Sequence, residues 1–145
     1  IKDAGFRGEF SYTRSQKEEF PRFSLGLDYS FATKTTLVFE YFYNGAANGN
    51  INDFSGSIIE QRKRLSLEKN LLSSMLTHEI TPLLKFKALV IYDITGKSAF
   101  LNPELRYNIK QDLDIAAGCQ LFIESSNSEF ENSQNLYYAE LKLFF

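Results

Sequence analysis

The stretch that decides the fold is the last one, Asn135–Phe145, NLYYAELKLFF. Tyr137, Ala139, Leu141, Leu143 and Phe145 fall on every second position, and the residues between them include Glu140 and Lys142. Period-two alternation places successive side chains on opposite faces, so this segment reads as a β-strand with one apolar and one polar face. Chain ends commonly fray into small or polar residues, because ordering them costs entropy for little return. Here the alternation runs to the last residue, as if the segment were part of a wall.

Seven further segments repeat the pattern. In Gly5–Thr13, Phe6, Phe10 and Tyr12 oppose Arg7, Glu9 and Ser11. Arg22–Phe31 sets Phe23, Leu25, Leu27, Tyr29 and Phe31 against Arg22, Ser24, Gly26, Asp28 and Ser30. Thr36–Asn44 sets Leu37, Phe39, Tyr41 and Tyr43 against Val38, Glu40, Phe42 and Asn44. Lys69–Ile80 alternates poorly. Leu84–Ile94 opposes Phe86, Ala88, Val90 and Tyr92 to Lys85, Lys87 and Asp93, with Leu89 and Ile91 diluting the polar side. Phe100–Ile109 opposes Leu101, Leu105, Tyr107 and Ile109 to Asn102, Glu104, Arg106 and Asn108. Leu113–Ile123 opposes Leu113, Ile115, Ala117, Cys119, Leu121 and Ile123 to Asp114, Ala116, Gly118 and Gln120, with Glu124 continuing the polar side.

Segments of about 9–11 residues exceed the 5–6 usual in soluble sheets and match a tilted strand crossing a hydrocarbon core. The connections ATKT, ITP and IKQD, after the second, fourth and sixth segments, are tight; RSQKEEFP, residues 45–68 and SSNSEFENSQN are longer and polar. TGKS, after the fifth, is a short member of the long set. In an up-and-down antiparallel barrel, alternate connections share a side, so short turns sort to one end and long loops to the other. The expected fold is all-β: an antiparallel up-and-down transmembrane β-barrel of about eight strands in this chain.

The polar face carries Arg7, Glu9, Arg22, Asp28, Glu40, Lys85, Lys87, Asp93, Glu104, Arg106, Asp114, Gln120, Glu140 and Lys142. A cation facing acyl chains at the bilayer midplane costs about 2–4 kcal/mol, so these residues are expected to line a lumen. Small residues interspersed among them (Ser11, Ser24, Gly26, Ala116, Gly118) suit a crowded interior. On the other face the aromatics gather toward the strand ends: Tyr12, Tyr41, Tyr43, Tyr92 and Tyr137 at one, Phe6, Tyr29, Phe31, Tyr107 and Phe145 at the other. Amphipathic rings favour the two interfaces of a bilayer.

The terminal strand, with Tyr137, Ala139, Leu141, Leu143 and Phe145, resembles the C-terminal signal strand of Gram-negative outer-membrane proteins. The stretches GLDYSF, TLVFEYFYNG, LNPELRYNI, GCQLF and SEF more loosely resemble the C-terminal half of porin-like barrels. What the resemblance implies is a bacterial outer-membrane channel for passive diffusion of small hydrophilic solutes or ions. It also implies contact with outer-membrane lipid and lipopolysaccharide, and with the barrel-assembly machinery during biogenesis. The alternative is a closed-lumen barrel that acts through its external loops, and a soluble β-sandwich or barrel is a third class.

Other chemistry is weakly represented. The net charge of −2 argues against electrostatic binding of nucleic acid. No run approaches the roughly 18–20 apolar residues of a membrane-spanning helix. A single cysteine, Cys119, precludes an intrachain disulfide and reads as a small apolar residue. The single histidine, His78, beside Glu79, is expected at the short-turn end and offers no acid–base constellation, so no enzyme activity or cofactor is expected. Residues 48–60, NGNINDFSGSIIE, look oxygen-rich, but Asp53 stands where a calcium loop needs Gly and Ile59 where it needs Glu, so no metal is expected. Gln61–Arg64, QRKR, is a solvated charge run with some potential for lipopolysaccharide phosphate. Pro103 removes a ladder donor mid-segment and predicts a bulge or break. The chain opens on Ile1 with neither an initiator methionine nor a signal peptide, so we expect a processed mature chain or, in preference, a fragment, with residues 1–145 forming a complete small barrel or the C-terminal eight strands of a larger one.

Overall fold

The computed structural model describes residues 3–14, 19–47, 69–123, 130 and 133–144. They form eight strands: β1 Ala4–Arg14, β2 Glu19–Phe31, β3 Thr35–Asn44, β4 Asn70–Thr81, β5 Leu84–Asp93, β6 Ser98–Lys110, β7 Leu113–Ile123 and β8 Leu136–Leu143. Every strand pairs antiparallel with the next, in one sheet of order β1 to β8. The sheet is not closed: β1 and β8 are its edges. The architecture expected from the alternation, all-β and up-and-down, is present, including the poorly alternating fourth strand.

The register explains that strand. Phe6, Leu27, Phe39, Ser74, Val90, Leu101 and Leu121 form one cross-strand row, so Ser74 stands among apolar neighbours. His78 likewise lies between Thr35 and Phe86, while Met75 lies on the polar face between Val38 and Leu89. β4 blurs the pattern because each of its faces holds residues of the other kind. The same row begins near the start of β1 and finishes near the end of β7, so the strands stagger steadily, as in the tilted wall of a barrel.

The turns at 32–34, 82–83, 94–97 and 111–112 are tight, as their sequences predict. Lys34, Lys97 and Asp112 close three of them with positive φ, a conformation that Asp tolerates better than Lys. The first connection is shorter than the sequence suggested, because β2 begins at Glu19 and only 15–18 separate it from β1. Arg14 and Glu19 meet there at 2.8 Å, and Tyr12 donates to Glu19 at 2.8 Å. Pro21 sits opposite Tyr12 at the rim, where a missing donor is tolerated.

Pro103 produces a gap in pairing and no bulge. Leu101 pairs with Leu121 and Glu104 with Gly118 in unbroken register, while Asn102 and Pro103 have no β7 partner in the ladder. Register shifts fall instead near turns, between Glu79 and Thr81 and between Asn108 and Lys110. They are placed where a strand ends, which a bulge readily accommodates.

The apolar side of the sheet is bare. Phe6 is 72% exposed, Phe10 71%, Tyr137 74% and Leu141 68%, and Leu27, Tyr29, Phe39, Leu105, Tyr107 and Ile115 are exposed with them. Few of the described residues are buried: Phe20, Ala47, Ala99 and Ala116 among the apolar ones, Asn44, Asp93 and Ser98 among the polar ones, and Gly26.

Candidate functional site: the polar face of the sheet

The polar residues predicted for one face do share it, because the register keeps their parity in phase across the sheet. Glu40 opposes Gly26 and Ser73; Lys85 opposes Glu79 and Arg106; Lys87 opposes Thr77 and Glu104; Glu140 opposes Ala116; Lys142 opposes Asp114. What distinguishes them is how each is engaged.

The most organised cluster spans β6 to β8. Arg106 Nε donates to Glu104 Oε1 at 3.3 Å, and its Nη2 to Glu140 Oε2 at 3.4 Å. Tyr138 Oη lies 3.2 Å from both Asn102 Oδ1 and Glu104 Oε2 and shares its single proton between them. These side chains reach across β7 because β7 is small there. Ala116 is 1% exposed beneath them, and a Cβ on Gly118 would stand 2.5 Å from Tyr138 Oη. Next along, Asn108 Nδ2 donates to Asp114 Oδ1 at 2.7 Å, and Lys142 Nζ stands 5.7 Å from the centre of the Phe144 ring.

On β1 to β3, Arg7 lies over Gly26, whose added Cβ would come 3.1 Å from Arg7 Nε. The Asp28 carboxylate occupies the space above Gly5, 2.7 Å from where its Cβ would be. Arg22 Nε donates to Asn44 Oδ1 at 2.9 Å and its guanidinium covers the Phe20 ring at 4.6 Å. Arg7 and Glu9 are exposed on the edge strand, and Gln120 is half-buried opposite Leu136.

Asp93 stands apart from the other predicted lumen residues. It is fully buried and its carboxylate accepts from Thr95 N at 2.8 Å, Gly96 N at 2.9 Å and Ser98 Oγ at 3.3 Å. Its role is to fold the 94–97 turn, the Asx-type bonding that keeps this connection short. Lys85 and Lys87, by contrast, are exposed and have no ion pair or hydrogen bond among the described residues.

Reasoning from the sequence missed two features. Tyr138 is one; the small residue directly opposite it, Gly118, was the available signal. The other is an apolar patch within the polar face: Phe100, Phe122 and Phe130 meet with centroids 5.1–6.2 Å apart, beside Ile91, Leu89 and Met75. Leu89 and Ile91 were visible as breaks in alternation, but Phe100 and Phe122 lie near strand ends and escaped the pattern.

His78 Nδ1 and Thr35 Oγ1 are 2.8 Å apart at the short-turn end, and Glu79 instead accepts from Lys34 Nζ at 3.2 Å. Among the described residues no group of three or more His, Cys, Asp or Glu converges as metal ligands would. Residues 48–60 and 61–64, Glu124 and Phe145 lie outside the described residues. On β8, Tyr137, Ala139, Leu141 and Leu143 do share the apolar face.

Fold and site together define a staggered, all-antiparallel eight-stranded sheet with an apolar and a charged face. Compared with protein-family models, with characterised proteins and with solved structures, the chain gives no match in any of the three.

Proposed function

We propose that these strands are wall strands of a porin-like β-barrel in a bacterial outer membrane, and that its lumen passes small hydrophilic solutes or ions by diffusion. The observation that carries this is the bare apolar face. Each half-exposed large side chain forgoes about 1 kcal/mol of burial, on the order of 20 kcal/mol over the face. That exceeds the roughly 5–15 kcal/mol by which folded domains are stable, so in use the face is covered. Lipid covers it without a protein partner. A 12-residue strand such as β4 extends about 40 Å, and at a tilt near 45° it rises about 28 Å, close to the apolar band of such barrels.

The open edges fit the same proposal. In hydrocarbon every backbone donor and acceptor needs a partner, so β1 and β8 must be paired there, with each other or with further strands. The charged face favours a wide wall: its side-chain bonds run between strands one or two apart, such as Arg106 to Glu140 from β6 to β8. In a barrel of about eight strands side chains from opposite walls fill the interior. On this proposal the apolar face meets lipid and lipopolysaccharide acyl chains, and the β8 stripe from Tyr137 to Leu143 is what the barrel-assembly machinery reads, together with Phe145.

A closed-lumen barrel acting through its loops is the second reading, favoured by the bonded cluster around Arg106. Conductance separates the two. The folded protein in planar bilayers is expected to give single-channel steps; heat-modifiable, membrane-inserted protein that never conducts overturns the channel reading in favour of the second.

A further inference from the structure

We infer that the polar face carries a binding site for organic anions with an apolar body, such as aromatic or medium-chain carboxylates. The inference rests on the proposed lumen and adds a solute class to it. One half of the site is the apolar patch. Met75 pairs with Leu89, and Ile91 with Phe100, so the four form a continuous floor over β4, β5 and β6. Met75 is 43% exposed and Leu89, Ile91 and Phe100 are half-buried, so part of the floor faces outward.

The other half is charge. Lys87 and Lys85 continue β5 from Leu89 on the same face, each about 7 Å further along. Both ammonium groups are exposed, yet the carboxylates across the ladder from them are already engaged. Glu104 accepts from Arg106 and Tyr138, and Glu79 accepts from Lys34. At the other end of the floor Asp93 is held by the 94–97 turn and Glu40 lies across Ser73 from Ile91, so the unengaged positive charge stands at the Lys87 end alone. A carboxylate held by Lys87 sets its own apolar body on Leu89 and reaches Ile91 and Phe100 within about 13 Å, the length of four strand residues. Burying that body removes apolar surface of both partners from water, while the charge fixes direction. A small inorganic anion leaves the floor bare, and a neutral ligand leaves the lysines unpaired, so neither uses both halves.

The test uses the full chain folded into lipid nanodiscs and three probes that differ only in head group: 4-phenylbutyrate, 4-phenylbutan-1-ol and 4-phenylbutylamine. Binding is measured by ligand-observed NMR against empty nanodiscs. The carboxylate is expected to bind at least tenfold more tightly than the alcohol, and the amine most weakly. A Lys85→Gln/Lys87→Gln variant should bind carboxylate and alcohol alike, while Lys85→Arg/Lys87→Arg keeps the preference. Ile91→Asn should weaken the carboxylate and the alcohol together. Equal binding of carboxylate and alcohol by the unaltered protein, or a preference that survives the double Gln change, overturns the inference. Failure to insert into lipid at all would overturn the barrel reading, whereas insertion without anion preference overturns only the site.

Discussion

Gly118→Ala tests whether the β6–β8 cluster is packed as described. An added Cβ would stand 2.5 Å from Tyr138 Oη, 2.6 Å from its Cζ and 2.8 Å from the Pro103 carbonyl oxygen. The tyrosine is the far end of a side chain and can swing away, but only by giving up its bonds to Asn102 and Glu104. The carbonyl is backbone and has less freedom. Overpacking of this kind costs about 1–3 kcal/mol, and the lost bond to a carboxylate adds about 1 kcal/mol, for roughly 2–4 kcal/mol in all. Gly8→Ala is the control. There the added atom meets Leu25 Cδ2 at 3.3 Å and the Ser24 carbonyl oxygen at 3.7 Å, so a small rotation of leucine absorbs it, at a cost of about 0.5 kcal/mol. Urea unfolding of the protein in detergent micelles, followed by tyrosine fluorescence, measures both. Adding Tyr138→Ala to Gly118→Ala should leave a smaller steric penalty from Pro103 alone. Equal midpoints for Gly118→Ala and Gly8→Ala would refute the packing argument.

Leu27→Arg, on the apolar face, should destabilise the protein by about 2–4 kcal/mol in a bilayer, while Lys85→Leu on the charged face should change stability little; urea unfolding from vesicles that ranks the two the other way would reverse the assignment of faces. Asp93→Ala leaves two backbone N–H groups and a hydroxyl of the 94–97 turn without their acceptor, and about 2 kcal/mol should be lost in the same assay, where an unchanged midpoint would deny the turn-capping role. Deleting Phe145 should reduce heat-modifiable folded barrel in cells far more than deleting Asn132, and equal yields from the two would count against the assembly-signal reading.

Much of the fold is legible in the sequence. The alternation of Phe23, Leu25, Leu27, Tyr29 and Phe31 with Arg22, Ser24, Gly26, Asp28 and Ser30 contains both the strand and its two faces, because side-chain direction in a strand follows from local backbone geometry. Tight turns at ATKT, ITP and IKQD were likewise readable from the short spacing between alternating segments. β4 was the weak point: its apolar and polar residues are mixed on both faces, and only its neighbours, Phe39 and Val90 around Ser74, show which way it faces.

The site was legible as a face and not as an arrangement. Sequence alone determined, for every strand but β4, which of its side chains share its charged side, since parity is a property of each strand by itself. Tertiary structure decided which of them meet: that Arg106 reaches Glu140 over Ala116, that Tyr138 lies on Gly118, that Asp93 is drawn into a turn, and that Lys85 and Lys87 have no partner among the described residues beside an apolar floor. These depend on register, which is fixed by hydrogen bonds between strands and by how much room the residue in between leaves. Neither the bonds nor the room is encoded in the period of any one strand.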